Sequence, residues 1–167
     1  MRLQSVEIIL EALAAAAVRY LIAGGLAVNA HGYLRFTKDV DLVIELEPDN
    51  LRAALEALGR LGYRPAVPVP LAQFADPVRR ESWVREKGMQ VFQLWSDAHP
   101  ETSVDLFVTM PFDFGQEYDR ALVKPLREGL PVRFVSIPTL IRMKELAGRS
   151  QDLIDIEHLR MRQPDHD

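Results

Sequence analysis

Three aspartates carry the chemistry that can be read directly from this chain. Asp39 and Asp41 stand two apart in Asp39-Val40-Asp41, at the mouth of an apolar run, Leu42-Val43-Ile44. Strand side chains alternate faces, so on a strand the two carboxylates point the same way and repel unless a cation sits between them. Hard oxygen ligands suit Mg²⁺ or Mn²⁺. A third acid, Asp105, interrupts the apolar segment Ser103–Val108, where an unpaired carboxylate is costly. If the two segments are neighbouring strands, Asp105 completes a carboxylate triad able to hold divalent ions and to take a proton from an incoming hydroxyl.

Upstream, the short apolar run Leu21-Ile22-Ala23 stops at Gly24-Gly25, and a helix-compatible segment from Leu26 to His31 follows. A strand turning through two glycines into a helix aims free backbone N–H groups and the positive helix end at one spot, and it leaves room for close approach. A phosphate beside a carboxylate-bound metal satisfies both halves, which points to a nucleoside triphosphate. Arg35 and Lys38 lie between the halves and either steer phosphate or are solvated charges. Read singly, each feature has a plainer meaning: a tight turn for the glycines, a solvated loop for Asp39 and Asp41, a hairpin carboxylate for Asp105.

The elements that must position these residues follow from periodicity and turn chemistry. Ser5 is expected to cap a helix from Val6 to about Val18, with strands over Tyr20–Ala23 and Val40–Leu46, the latter central because it is apolar on both faces. Pro48 opens a helix to about Leu61. Residues 64–72 read as a proline-punctuated connector, and the charged segment before Gly88 as a short helix or strand. Met89–Trp95 and Ser103–Thr109 read as strands around a hairpin loop, residues 112–118 as irregular, and Ala121–Val123 and Val132–Val135 as further strands. Helices over Thr139–Ala147 and Gln151–Arg160 and a polar tail from Gln163 to Asp167 complete the chain. Lys144 lies near the end of the first of these helices, where the dipole favours any lysine. Asp152 and Asp155 read as exposed helix residues, or Asp152 as a cap.

The chain has 167 residues, 48% of them hydrophobic and 26% charged, which suits one ordinary soluble domain. A net charge of −4 argues against nonspecific coating of nucleic acid. The absence of cysteine removes disulfides and thiolate sites and fits a reducing cytoplasm. Glu11 and Arg19 interrupt the apolar N-terminal run, which therefore reads as a soluble helix and a core strand, with no targeting or membrane segment.

Gly24-Gly25, a short helix, Asp39-x-Asp41 on a strand and a distant Asp105 on another strand resemble the nucleotidyltransferase (polymerase β-like) superfamily. Arg35-x-Thr37-x-Asp39-x-Asp41-Leu42 is similar to its small bacterial branch that includes abortive-infection type IV toxins. So are the middle segment from Phe74 to Phe107 and the late Lys144-x-x-Ala147-x-Arg149-x-x-Asp152-x-x-Asp155. The resemblance spans roughly residues 18 to 160. It implies an α/β (α+β) nucleotidyltransferase fold: a small mixed sheet flanked by helices, with a core over residues 1–137 and a C-terminal helical extension over 138–162. It implies transfer of a nucleoside monophosphate from an NTP to a hydroxyl on RNA (tRNA) or protein, with Mg²⁺ or Mn²⁺. Asp39, Asp41 and Asp105 would bind metal, with Asp105 also the base. Gly24, Gly25, Arg35, Thr37, Lys38 and Lys144 would hold the nucleotide. A toxin role with a cognate antitoxin partner is part of the same expectation. The rivals are a catalytically inactive nucleotide-binding or antitoxin-like module and a protein whose carboxylates only bind a stabilising cation.

Overall fold

The computed structural model describes residues 1–163, so the tail expected at Gln163–Asp167 lies, beyond Gln163, outside the described residues. At its centre β1 (Tyr20–Ile22) and β2 (Asp39–Ile44) run antiparallel, with Tyr20 opposite Ile44. On the far side of β2 lies β5 (Ser103–Phe107), parallel to it, then β4 (Val91–Trp95), antiparallel, and the short edge β3 (Arg64–Pro65). On the far side of β1, β7 (Leu130–Phe134) runs parallel and β6 (Leu122–Arg127) closes the edge. The result is a seven-stranded mixed sheet in the order β3-β4-β5-β2-β1-β7-β6 with helices packed on it. Among the described residues no helix is long and apolar enough to cross a membrane.

Alternation along the strands decides which face carries the chemistry. On β2, Val40 and Leu42 are buried while Asp39 and Asp41 are partly exposed; on β5, Val104 and Leu106 are buried between Ser103, Asp105 and Phe107. On β4, Phe92 and Leu94 are buried and Val91, Gln93 and Trp95 reach solvent. The buried row packs against the aromatic pair above it, Phe74 at 5.1 Å and Trp83 at 5.0 Å from the Phe92 ring centroid. That leaves the opposite face of β2, β5 and β4 open around the carboxylates.

Several boundaries differ from expectation for local reasons. Helix α1 spans Leu3–Ala15 and is preceded by Arg2, so Ser5 is no cap: it lies inside the helix, buried, sharing a 2.9 Å hydrogen bond with His99 Nδ1. The helix stops short of Val18 because Ala17 turns to φ 53° and Val18 N–H closes onto Leu13 C=O. Helix α2 (Gly24–Ala30) begins at the first glycine, and α3 spans Pro48–Arg60 with the Glu47 side chain capping it. The connector contains a 3-10 turn over Leu71–Ala75, and the charged segment is helix α4 (Pro77–Lys87), capped by Asp76.

Residues 112–118 are not irregular. Asp113 accepts a hydrogen bond from Gln116 N–H and starts helix α5 (Phe114–Arg120), which delivers Glu117 to the start of helix α6 (Ile137–Ala147). The fully buried Glu117 carboxylate accepts from Ser136 N–H at 2.6 Å, Thr139 Oγ1 at 2.8 Å and Arg120 Nε at 2.6 Å. Burial works against its charge, but the bonds from Ser136, Thr139 and Arg120 outweigh it and hold its pKa below the ordinary glutamate value. A depressed carboxylate pKa adds stability that is fully present above the unfolded value of 4.5 and is lost as the pH falls through the folded value. Glu117→Gln is therefore expected to cost about 1–3 kcal/mol at neutral pH. The gap between variant and wild type should close on acidification below pH 4.5, as read from urea midpoints. A gap independent of pH would refute the ionic account.

Candidate active site

Asp41 and Asp105 are register partners across β2 and β5, and Asp39 faces Ser103 two pairs earlier, on the same face. The parallel register thus places all three carboxylates on the open face. Burial first, then Asp105 and Asp39 beside it, push the Asp41 carboxyl up to about 7, with Lys144 and Arg149 pulling the other way. Asp105 is raised to about 6 by burial and by Asp39, against the Gln93 amide and Arg149. The Ser103 hydroxyl donates to Asp39 Oδ1. Asp105 Oδ1 is buried and has no hydrogen-bond partner among the described residues.

The glycine pair is where backbone meets these acids. Gly24 has φ 61°, and a Cβ there would lie 1.9 Å from Asp41 Oδ2. At Gly25 a Cβ would fall 2.5 Å from Thr37 Oγ1 and 3.2 Å from an Arg35 guanidinium nitrogen. Both positions therefore demand glycine: the first to seat the Asp41 carboxylate against the turn, the second to seat Thr37 and Arg35. Ala23 N–H donates to Asp41 C=O at 3.0 Å and ties the turn to β2.

The donor set fits a hard divalent ion in kind: three carboxylates on one face, two of them with raised pKa values, and an orphaned oxygen on Asp105. Among the described residues, however, no three His, Asp or Glu side chains converge closely enough to hold an ion as they stand. Mutual repulsion accounts for carboxylates that share a face without converging.

The expected nucleotide-binding cations sit elsewhere than in open space. Lys144 is only 4% exposed, its ammonium 3.1 Å from Asp152 Oδ1 and 2.7 Å from Asp155 Oδ2. Both acids come from helix α7 (Ser150–Arg160). Arg35 grips Asp155 through Nε and Nη2, each at 2.7 Å, so the loop carrying Arg35 and Thr37 is moored to α7. Arg149 Nε bonds Asp152 Oδ2 at 2.9 Å. Lys38 is exposed. The Asp152 and Asp155 carboxyls are held below the ordinary range because these cations and Gln151 outweigh their burial.

Reading Asp152 and Asp155 as exposed helix residues missed this network, whereas Asp152 as a cap holds: its Oδ2 accepts from Arg149 N–H at 3.1 Å at the start of α7. The signal was present: Asp152, Asp155, Ile156 and Leu159 follow helical spacing and form the buried stripe of α7. Gln93 and Ser103 could be found only from strand register, which pairs Gln93 with Asp105 and Ser103 with Asp39. His31 Nε2 meets Val135 C=O at 2.8 Å, and Trp83 packs in the core.

No family model matches this chain, and no curated protein does. Solved structures do. The solution structure of the antibiotic-resistance factor ANT(2'')-Ia superposes with a TM-score of 0.60 at 18% identity, covering 94% of this chain and 81% of that one. The lincomycin-bound lincosamide antibiotic adenylyltransferase LnuA gives 0.59 at 13% identity, covering 96% and 97%. ANT(2'')-Ia with adenylyl-2''-tobramycin gives 0.55 at 13% identity, covering 94% and 86%. The architecture is thus the mixed α/β fold of these nucleotidyltransferases. At such identities the likeness speaks to fold.

A carboxyl whose pKa is raised by folding destabilises the folded state as pH rises through the interval between its unfolded and folded values. For Asp41 that interval runs from 3.8 to about 7. Without divalent ions, stability should therefore fall from about pH 4 to about pH 7 and level off above, and Asp41→Asn should be more stable than wild type at pH 8 by about 1–3 kcal/mol, discounted for the open face. Mg²⁺ should restore the wild type and not the variant. A wild-type thermal midpoint indifferent to both pH and Mg²⁺ would rule out carboxylate crowding. Lys144→Met, by contrast, takes one partner from each of two buried carboxylates that keep Arg35 and Arg149, and should cost about 1–3 kcal/mol in urea unfolding; a neutral result would mean the network is not structural.

Proposed function

We propose that this chain is a nucleotidyltransferase that moves a nucleoside monophosphate from an NTP to an acceptor hydroxyl. The observation that carries this reading is the placement of Asp41 opposite Asp105, with Asp39 two pairs away, on the open face of the sheet. A protein that only binds nucleotide has no need of a buried, unpartnered carboxylate oxygen such as Asp105 Oδ1 beside two further acids. The architecture shared with ANT(2'')-Ia and LnuA supports the same reading.

Asp39 and Asp41 would hold Mg²⁺ or Mn²⁺ together with Asp105, and Gly24 keeps the Asp41 carboxylate in place by leaving it room. The bound ion would neutralise the crowded carboxylates and polarise the phosphate oxygens. Asp105 takes the proton of the acceptor hydroxyl as its oxygen bonds to the α-phosphorus; the bond from that phosphorus to the bridging oxygen breaks, and pyrophosphate leaves with the electron pair. Ser103 fixes Asp39 by donating to it, and Gln93 flanks Asp105.

For the acceptor, the neighbours favour a small molecule over RNA (tRNA) or protein. One is described as an antibiotic adenylyltransferase with lincomycin bound, another carries an adenylylated tobramycin. The net charge of −4 also suits a small acceptor better than a polyanion. A toxin role with a cognate antitoxin finds no support in these neighbours.

Incubation of the purified chain with each α-labelled NTP, Mg²⁺ or Mn²⁺ and a panel of hydroxylated small molecules, total RNA and lysate protein tests this directly. Label should enter a small-molecule acceptor, with pyrophosphate released, and Asp105→Ala should fall by at least about 10³-fold. Equal labelling by wild type and Asp105→Ala would sink the assignment. Label in RNA alone would return the acceptor to nucleic acid.

A further inference from the structure

We propose that the cleft between α4 and the C-terminal ends of β2 and β5 is a second ligand site, which takes a small apolar carboxylic acid and pairs its carboxylate with Arg80. The inference is independent of the nucleotidyl-transfer reading. Helix α4 covers the buried face of the sheet, its Trp83 stacked on Phe92, whereas the three aspartates lie on the other face.

One side of α4, from Pro77 through Arg80 to Val84, faces Leu46 just past β2 and Val108 and Met110 just past β5. Between them lies a cleft of about 400 Å³ with predominantly apolar walls, large enough for a small molecule. Of the many charges on α4, Arg80 alone is buried, with 8% of its surface exposed. Its one side-chain hydrogen bond among the described residues runs from Nη1 to Phe74 C=O, and no carboxylate there forms an ion pair with it. Asp76 spends its carboxylate on Val78 N–H at the start of α4. Burial accordingly lowers the Arg80 pKa from the ordinary arginine value, with the charge of Asp76 acting against it.

A guanidinium carries five N–H donors, and holding Phe74 C=O uses one. The buried side-chain atoms that lack a partner among the described residues are Asp105 Oδ1 and Ser136 Oγ, and none belongs to Arg80. Its unused nitrogens are therefore not sealed in the core, and the cleft is the space that Arg80 lines. At the rim Arg85 stands 3.9 Å from Glu81, so those two exposed charges offset each other. One uncompensated positive charge remains among apolar walls, a costly arrangement for folding alone. A carboxylate matches the planar guanidinium fork, and an apolar body behind it would cover Leu46, Val84, Val108 and Met110. An apolar alcohol brings no charge, and a dianion would find a single cation.

Methyl NMR titrations of the full chain with octanoate, 2-naphthoate, octanol and acetate test the assignment. At least one of the two apolar acids should shift the Val84, Val108 and Met110 methyl signals saturably, with octanol and acetate at least ~10-fold weaker. Arg80→Gln should weaken that acid by ~10- to 100-fold and leave octanol within about twofold. Because this variant also loosens Phe74, Val84→Trp serves as a second: it fills the cleft, leaves Arg80 in place and should abolish binding of the acid. Both should keep the wild-type circular dichroism spectrum. Equal affinity of wild type and Arg80→Gln for the acid, or octanol bound as tightly as octanoate, overturns the proposal. So does a wild type whose cleft methyls respond to neither acid, a result that needs no variant.

Discussion

Asp41 and Asp105 stand opposite one another on parallel neighbouring strands, partly withdrawn from water, and the surrounding architecture is arranged to keep them there. Like charges at that separation repel, and burial adds to the penalty, so an unconstrained strand pair would slide or rotate to relieve it. The buried row on the other face prevents this. Val40 and Leu42 on β2 and Val104 and Leu106 on β5 pack into the core, and a one-residue slip would bring the acids into that core in their place. Hydrophobic burial on one face therefore enforces electrostatic crowding on the other.

The turn at Gly24 extends the same constraint to the backbone. With a Cβ at that position the Asp41 carboxylate would have to leave, so the glycine is needed for the acid and not merely for the turn. Gly25 does the equivalent for Thr37 and Arg35, and Arg35 carries the connection on to α7 through Asp155. Sheet, turn, loop and C-terminal helix pair thus meet around one cluster of charges. A local perturbation at Asp155 reaches the glycine turn through a single guanidinium.

Much of this was legible in the sequence, and the limits have physical causes. The acids and the glycine pair were visible because each breaks a local rule: a carboxylate in an apolar run, two glycines between strand and helix. Most sheet strands were readable from their apolar runs and alternation, and the β4–β5 hairpin from its loop chemistry. Strand β3, however, lies in the segment read as a connector, because two residues, one of them a proline, carry no strand pattern and only pairing with Trp95 and Leu94 defines them. Helix α5 was missed because only seven residues form it and its stability comes from Glu117 meeting the start of α6, a tertiary contact with no local signature. Ser5 was taken for a cap because its hydroxyl has local candidates, whereas its partner, His99, lies across the fold. Arg35 and Lys144 looked like free phosphate ligands because their counter-ions sit far along the chain or within an apparently polar helix.

The buried ionic chain also bears on how specificity and stability divide in this molecule. Burying Lys144 with Asp152 and Asp155 is not, by itself, a gain over apolar packing, because desolvation offsets much of the attraction. Its consequence is positional. Alternating charges admit few arrangements: Asp155 can satisfy Arg35 and Lys144 together only if the 31–38 loop and α6 take one relative placement. That placement fixes Thr37 against Gly25 and leads the chain into Asp39. The odd cation, Arg149, shares Asp152 with Lys144 and stays largely exposed, because the two carboxylates already hold Lys144 and Arg35.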